Sequence, residues 1–174
     1  MNYRSFLRIS RLGITAFFSC IMILIIVKPA KAQNTEARLD KLSLHIEGEW
    51  SRRIEQDKAI YDDYNLTGKM RHAVILYHFQ KADDPKTFFS KAYTSIWPEA
   101  GATPRARRFY TSDGDMIWSS GAEITNSLGK GYGQLYVFTK PEGYQSVLVW
   151  LENFDTYRKT QNQWNMMMQD AKFR

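Results

Sequence analysis

The sequence predicts an all-β fold, an antiparallel β-barrel preceded by an N-terminal helix. Three observations carry this. From residue 70 onward, short stretches rich in Val, Ile, Tyr, Phe and Trp follow one another. Turn signatures separate them closely: Asp83-Asp84-Pro85, Asp113-Gly114 and Lys140-Pro141-Glu142-Gly143. Strands joined this tightly pair with their sequence neighbours, in a meander that removes its own edges by closing.

The first 32 residues stand apart from that domain. Arg4, Arg8 and Arg11 precede an apolar run from Ile14 to Val27, and Pro29-Ala30-Lys31-Ala32 ends in an Ala-x-Ala cleavage pattern. This is the layout of a secretory signal, with an apolar run short of the ~20 residues of a membrane span. The expected mature chain starts at Gln33, is secreted or periplasmic, and has no stable membrane span after cleavage; a retained anchor is the rival reading. Residues 33–174 make one domain. They contain no cysteine, because Cys20 lies in the signal, so disulfides, thiolate metal sites and a cysteine nucleophile are excluded from the exported form.

The signal also carries the charge. The whole chain is formally +6, with 24 Lys and Arg against 18 Asp and Glu. Five of the basic residues and none of the acidic ones lie before residue 33, which leaves 19 against 18, or +1. The electrostatic footprint of a nucleic-acid binder is therefore missing. "KGYGQLYVF" (130–138) approaches an RNA-binding strand motif, but the two positions that stack bases are Gln134 and Val137. It is expected to be a flexible Gly-x-Gly loop entering a strand of a β-hairpin, with no nucleic-acid partner.

The elements then follow in order. Leu39, Leu42, Ile46, Trp50 and Ile54 recur at spacings of three and four, which predicts a helix over about 36–47, closed by Gly48, with a strand possible from Trp50. Residues 70–80 and 87–97 are expected strands, and residues 98–104 a loop. Residues 106–121 form a hairpin about Asp113-Gly114, and "QLYVFT" and "YQSVLVWLENF" form one about Pro141. In the last strand Val147, Val149 and Leu151 share one face and Leu148 and Trp150 the other. A sheet with one wet face would alternate apolar and polar, so both faces must be covered, by a solid core or by an apolar lumen with something packed outside. An α+β arrangement, with helices on a curved sheet, is the alternative architecture.

Most candidate sites have a structural explanation. His72 and His78 share a strand face but stand too far apart to meet, with His45, at one metal ion. Asp62-Asp63, Asp83-Asp84 and Asp113/Asp115 read as turn residues. Asn65-Leu66-Thr67 fits a glycosylation sequon but reads as a turn, and Met166-Met167-Met168 reads as packing. No phosphate loop, nucleophile elbow, triad, metal site or cofactor motif is present. Arg105, Arg107 and Arg108 remain. On a strand Arg108 and Tyr110 share one face and Arg107 and Phe109 the other, and an arginine fork beside a tyrosine at a barrel mouth suits a carboxylate.

The order of motifs resembles the T-type (CpcT/CpeT) phycobiliprotein lyases, which have a lipocalin-like (calycin) barrel. Over residues 39–124, "IEGEWSRRIEQ" (46–56) is similar to the family's Met-x-Gly-x-Phe-Ser…Gln entry, and "FFSKAY" (88–93) to its Phe-Tyr-Ser-Glu-Gln-Ala-Tyr. "PRARRFY" (104–110) matches its Pro-Tyr-Arg-Gln-Arg-Val-Tyr at Pro104, Arg108 and Tyr110, and Gly48 with Trp50 fits the lipocalin Gly-x-Trp. The family's glutamate is absent from "FFSKAY", Arg105 and Ala106 replace its tyrosine and first arginine, and Gln56 is one residue out of place. The resemblance implies a calycin barrel. Its lyase activity, bilin transfer to a partner cysteine, belongs inside the cell and conflicts with an export signal.

The expected function is thus an exported barrel holding an apolar or tetrapyrrole-like small molecule, with ligand-binding residues Arg108, Tyr110, Trp50, Tyr93 and Trp150 and no bound cofactor or metal. The alternatives are a bilin lyase, or a module that binds or inhibits a protein partner without any ligand. The sharpest form of the expectation is an elongated apolar ligand with an acidic end.

Overall fold

The computed structural model describes residues 34–64, 68, 70–82, 84–99 and 103–174. The expected export signal and the Asn65-Leu66-Thr67 sequon lie outside them. Residues 34–174 form one compact unit.

The chain opens with β1 (Asn34–Leu39) and β2 (Leu42–Glu47), paired antiparallel with Leu39 opposite Leu42. This corrects the helix expected over 36–47. Two periods fit the same residues, and the deciding one is Leu42, Leu44 and Ile46, spaced by two and all buried. Asp40 makes the turn in left-handed backbone (φ 47°), which Asp tolerates better than most residues. Ile54, the last member of the helical stripe, is 61% exposed.

Next come β3 (Ser51–Ile54), β4 (Lys58–Tyr64), β5 (Met70–Tyr77) and the short β6 (Gln80–Lys81). Residues 85–96 are then helix α1 (Pro85–Ile96), where a strand over 87–97 was expected. Pro85 opens the helix at the one position where its missing N–H costs nothing. Phe88, Phe89, Ala92, Tyr93 and Trp97 are buried, a stripe that repeats every four residues and that a strand could not bury on one face.

Four strands complete the main sheet: β7 (Arg107–Tyr110), β8 (Met116–Asn126), β9 (Gly129–Lys140) and β10 (Gly143–Leu151). The two hairpins expected about Asp113-Gly114 and Pro141 are present. The Gly-x-Gly segment is not a loop but part of β9. A Cβ on Gly131 would collide with the Leu151 carbonyl and the Trp150 ring, so this glycine provides close approach between strands and not flexibility. Helix α2 (Phe154–Gln169) follows, capped by Asn153, whose side chain accepts from the Thr156 N–H at 2.9 Å. The chain ends in β11 (Lys172–Phe173), which pairs with β2.

The main sheet is antiparallel in the order β3-β4-β5-β10-β9-β8-β7, with β6 on the end of β10. Its path runs from edge to edge without closing among the described residues. Among the described residues strands outweigh helices, 54% to 20%, below the third or so of helix in an average globular chain.

Strand β10 lies mid-sheet with all nine residues buried. Val147, Val149 and Leu151 join a core with Leu42, Leu44, Tyr157, Trp164 and Met168, roofed by the β1–β2 hairpin and α2. Leu148 and Trp150 join a second core with Phe88, Tyr93 and Trp97 under α1. Both faces of the strand are therefore covered by solid cores, which is why its apolar residues do not alternate with polar ones. Of the three methionines near the C-terminus, Met168 is fully buried and Met166 is 63% exposed.

Candidate functional site

Strand β7 is an edge of the main sheet, and alternation gives it two faces. Phe109 meets Tyr136 edge-on at 6.2 Å, so Arg107 and Phe109 face α2. Arg108 and Tyr110 face the other way. Arg108 lies over the Trp118 ring, 5.4 Å from its centroid, above a shallow shelf, and Tyr110 is 54% exposed.

A pocket of about 240 Å³ lies on the Arg107 side, between β7–β9 and α2. Its floor holds Ser119 and Gln134, only 5% and 4% exposed. Gln134 stands opposite Gly121 in the ladder, and Ser119 opposite Tyr136. The roof is one face of α2, with Phe154, Tyr157, Gln161 and Asn165 at helical spacing, and the mouth carries Arg105 and Arg107.

The chemistry of this pocket is one-sided. Among the described residues no carboxylate lines it. Neither Arg105 nor Arg107 makes an ion pair among the described residues. The Tyr136 hydroxyl donates to Asn165 Oδ1 at 3.2 Å, and the Tyr132 hydroxyl to Gln134 Oε1 at 3.4 Å. Both amide oxygens are thus occupied, and among the described residues both NH₂ groups remain as donors. Burial pushes the Tyr157 phenol up to about 12 and raises Tyr132 and Tyr136 as well, while the Arg107 cation pulls Tyr132 and Tyr157 the other way. At neutral pH these phenols keep their protons. Guanidinium, hydroxyl and amide donors gathered with no acid among the described residues have the chemistry to meet an anion.

A second cavity, of about 750 Å³, lies across α2 against β2, β4 and β5. Trp50, His72 and Trp164 line it, with ring centroids 6.0–6.5 Å apart. His72 Nδ1 lies 3.2 Å from Asp63 Oδ2, and burial holds its imidazole below the ordinary range against the opposing effect of Asp63. His78 pairs instead with Asp40 at 2.9 Å.

The residues expected to bind ligand fall in three places. Arg108 and Tyr110 are on the outer side of β7, and Trp50 is in the second cavity. Tyr93 and Trp150 are in the core beneath α1, where Tyr93 stacks on Trp97 at 4.7 Å. The structure does not bring the five together. Nor are all the acid pairs turn residues, because Asp62 and Asp63 lie within β4. Asp62 is buried with its Oδ2 3.7 Å from Arg53, and burial raises its pKa.

No family model matches the chain. No curated protein sequence matches it either. Among the described residues no helix is long and apolar enough to cross a membrane.

The sequence reading missed Ser119, Gln134, Tyr157 and Asn165. One signal was visible: Gln134 is polar at a strand position that shares a face with Tyr132, Tyr136 and Phe138. A polar residue on a core-facing row either satisfies itself or lines a site. Asn165 and Tyr157 could be connected to it only once α2 was recognised as a helix.

Proposed function

We propose that this protein is a small-molecule-binding module whose ligand carries an acidic group, held at Arg107 and Arg105 in the pocket beneath α2. The observation that carries this reading is the pairing of two arginines, without acidic partners among the described residues, with a buried floor of donors, Ser119 and Gln134. A pocket of about 240 Å³ suits a carboxylate and a short length of chain. Arg105 and Arg107 also border the shelf at Trp118, so an apolar body, tetrapyrrole-like or aliphatic, would run over the free edge of β7 onto that indole. Arg108 and Tyr110 would then touch the body of the ligand and not its acid.

In this reading the sheet is a calycin-like one whose interior is filled by the β1–β2 hairpin and α2, and the domain is exported, starting at Gln33. Bilin transfer rests on the motif resemblance alone, and binding is the function proposed. Intact-mass measurement of the secreted or periplasmic protein tests the export; recovery of the full-length chain from membranes would contradict it.

Calorimetric titration tests the binding, using a medium-chain fatty acid, the alcohol of the same chain, haem and a bilin. The acid should bind saturably and the alcohol much more weakly. Arg107→Ala should cost about 1.5–3 kcal/mol with the acid, the usual contribution of a hydrogen bond to a charged group, and Arg108→Ala less. Equal binding of acid and alcohol, or no saturable binding by any of the four, would overturn the reading.

A further inference from the structure

The cavity at Trp50 has the opposite chemistry to the Arg107 pocket. Glu47, Asp63 and Asp170 line it, and among the described residues no lysine or arginine does. Asp170 is also the C-terminal cap of α2, where the exposed carbonyls of a helix add partial negative charge. His72 is held towards its neutral form by burial, so it does not offset these carboxylates at neutral pH.

Both indole N–H groups are engaged, which leaves ring surface, chiefly that of the half-buried Trp50, to meet a ligand. The Trp50 indole N–H donates to the Glu47 carbonyl at 2.9 Å, and the Trp164 N–H donates to Thr160 Oγ1 at 2.9 Å. Trp50 and Trp164 stand edge-to-face, with an interplanar angle of 82°. Indole faces attract cations through their quadrupole, and do so most strongly where the cation carries little hydration of its own. Met166 and Met167 add a polarizable, adaptable wall suited to alkyl groups. The cavity's volume, about 750 Å³, is of the size that takes small organic molecules.

We propose that the Trp50–Trp164 groove is a second ligand site, one for a small organic cation of the alkylammonium type. Sign of charge selects the ligand: the carboxylates supply long-range attraction, the indoles contact the ammonium carbons, and the methionines take the alkyl remainder. A metal ion is not the expected occupant, because among the described residues no three carboxylates or imidazoles come together to hold one.

The test uses benzyltrimethylammonium and its neutral carbon isostere, neopentylbenzene, titrated into the purified protein. The indole N–H signals of Trp50 and Trp164 are followed by NMR. The cation should shift both signals saturably and bind about tenfold more tightly than the isostere, the margin of a partly desolvated cation–π contact. Glu47→Gln should weaken the cation severalfold and leave the isostere unchanged. Trp50→Leu should abolish the preference; if that variant fails to fold, Glu47→Gln and the isostere comparison still decide. A fatty acid should not displace the cation, so failure at the Arg107 pocket and failure here are distinguishable. Equal affinity for cation and isostere would reduce the groove to an apolar surface, and unmoved indole signals or displacement by the fatty acid would place the cation elsewhere. Any of these results overturns the proposal.

Discussion

Gly121 stands directly opposite Gln134 in the ladder between β8 and β9, and a Cβ at Gly121 would run into the Gln134 amide oxygen and the Tyr132 hydroxyl. The missing side chain leaves room over Gly121 for the Gln134 amide oxygen to accept from the Tyr132 hydroxyl. Gly121→Ala should therefore turn the amide or the phenol aside and lower affinity for an acidic ligand about tenfold, the equivalent of one disturbed charge-assisted hydrogen bond. Calorimetry with the fatty acid checks it. Unchanged affinity would mean that Gln134 plays no part in binding.

Leu148 is fully buried on β10, against the core beneath α1. Leu148→Ala should destabilise the domain by about 2–5 kcal/mol, through lost transfer energy and the cavity left behind. It should not change the chemistry of the Arg107 pocket or of the Trp50 groove, since both lie on the other face of the sheet. Urea unfolding measures the first effect, and ligand titration of the folded variant checks the second.

The pH dependence follows from His72. Burial lowers its pKa in the folded state below 6.5, so the unfolded chain takes up this proton first as pH falls. The contribution to stability is complete above pH 6.5 and is lost as pH drops from there through the folded value. Thermal unfolding between pH 7.5 and about 5 should show this decline, and His72→Gln should flatten it. A slope unaltered in the variant would assign the decline to other groups.

These residues also mark what could be read from the sequence and what could not. The late strands were legible because period two, Asp113-Gly114 and Pro141 agree, and because Leu148 and Trp150 opposite Val147 and Val149 demanded cover on both faces. The hairpin at residues 34–47 was not, since Leu39, Leu42 and Ile46 satisfy a helical period while Leu42, Leu44 and Ile46 satisfy a strand; pairing with β11, far away in sequence, settles it. Helix α1 was hidden because Phe88, Phe89, Ala92 and Tyr93 also suit a strand. For the site, alternation on β7 correctly separated Arg107 from Arg108. Which of the two faces a pocket depends on where α2 packs, and nothing local to β7 encodes that.

The central claim is that an acid group sits among Arg107, Ser119 and Gln134. An NMR titration that resolves the side-chain NH₂ signals of Gln134 and Asn165 tests it most directly, with the fatty acid and its alcohol added in parallel. The account predicts that both amide signals move saturably with the acid, keep still with the alcohol, and stop responding in Arg107→Ala. If the acid instead binds while these signals stay in place and the indoles of Trp50 or Trp150 move, the acid is bound elsewhere and the claim is wrong.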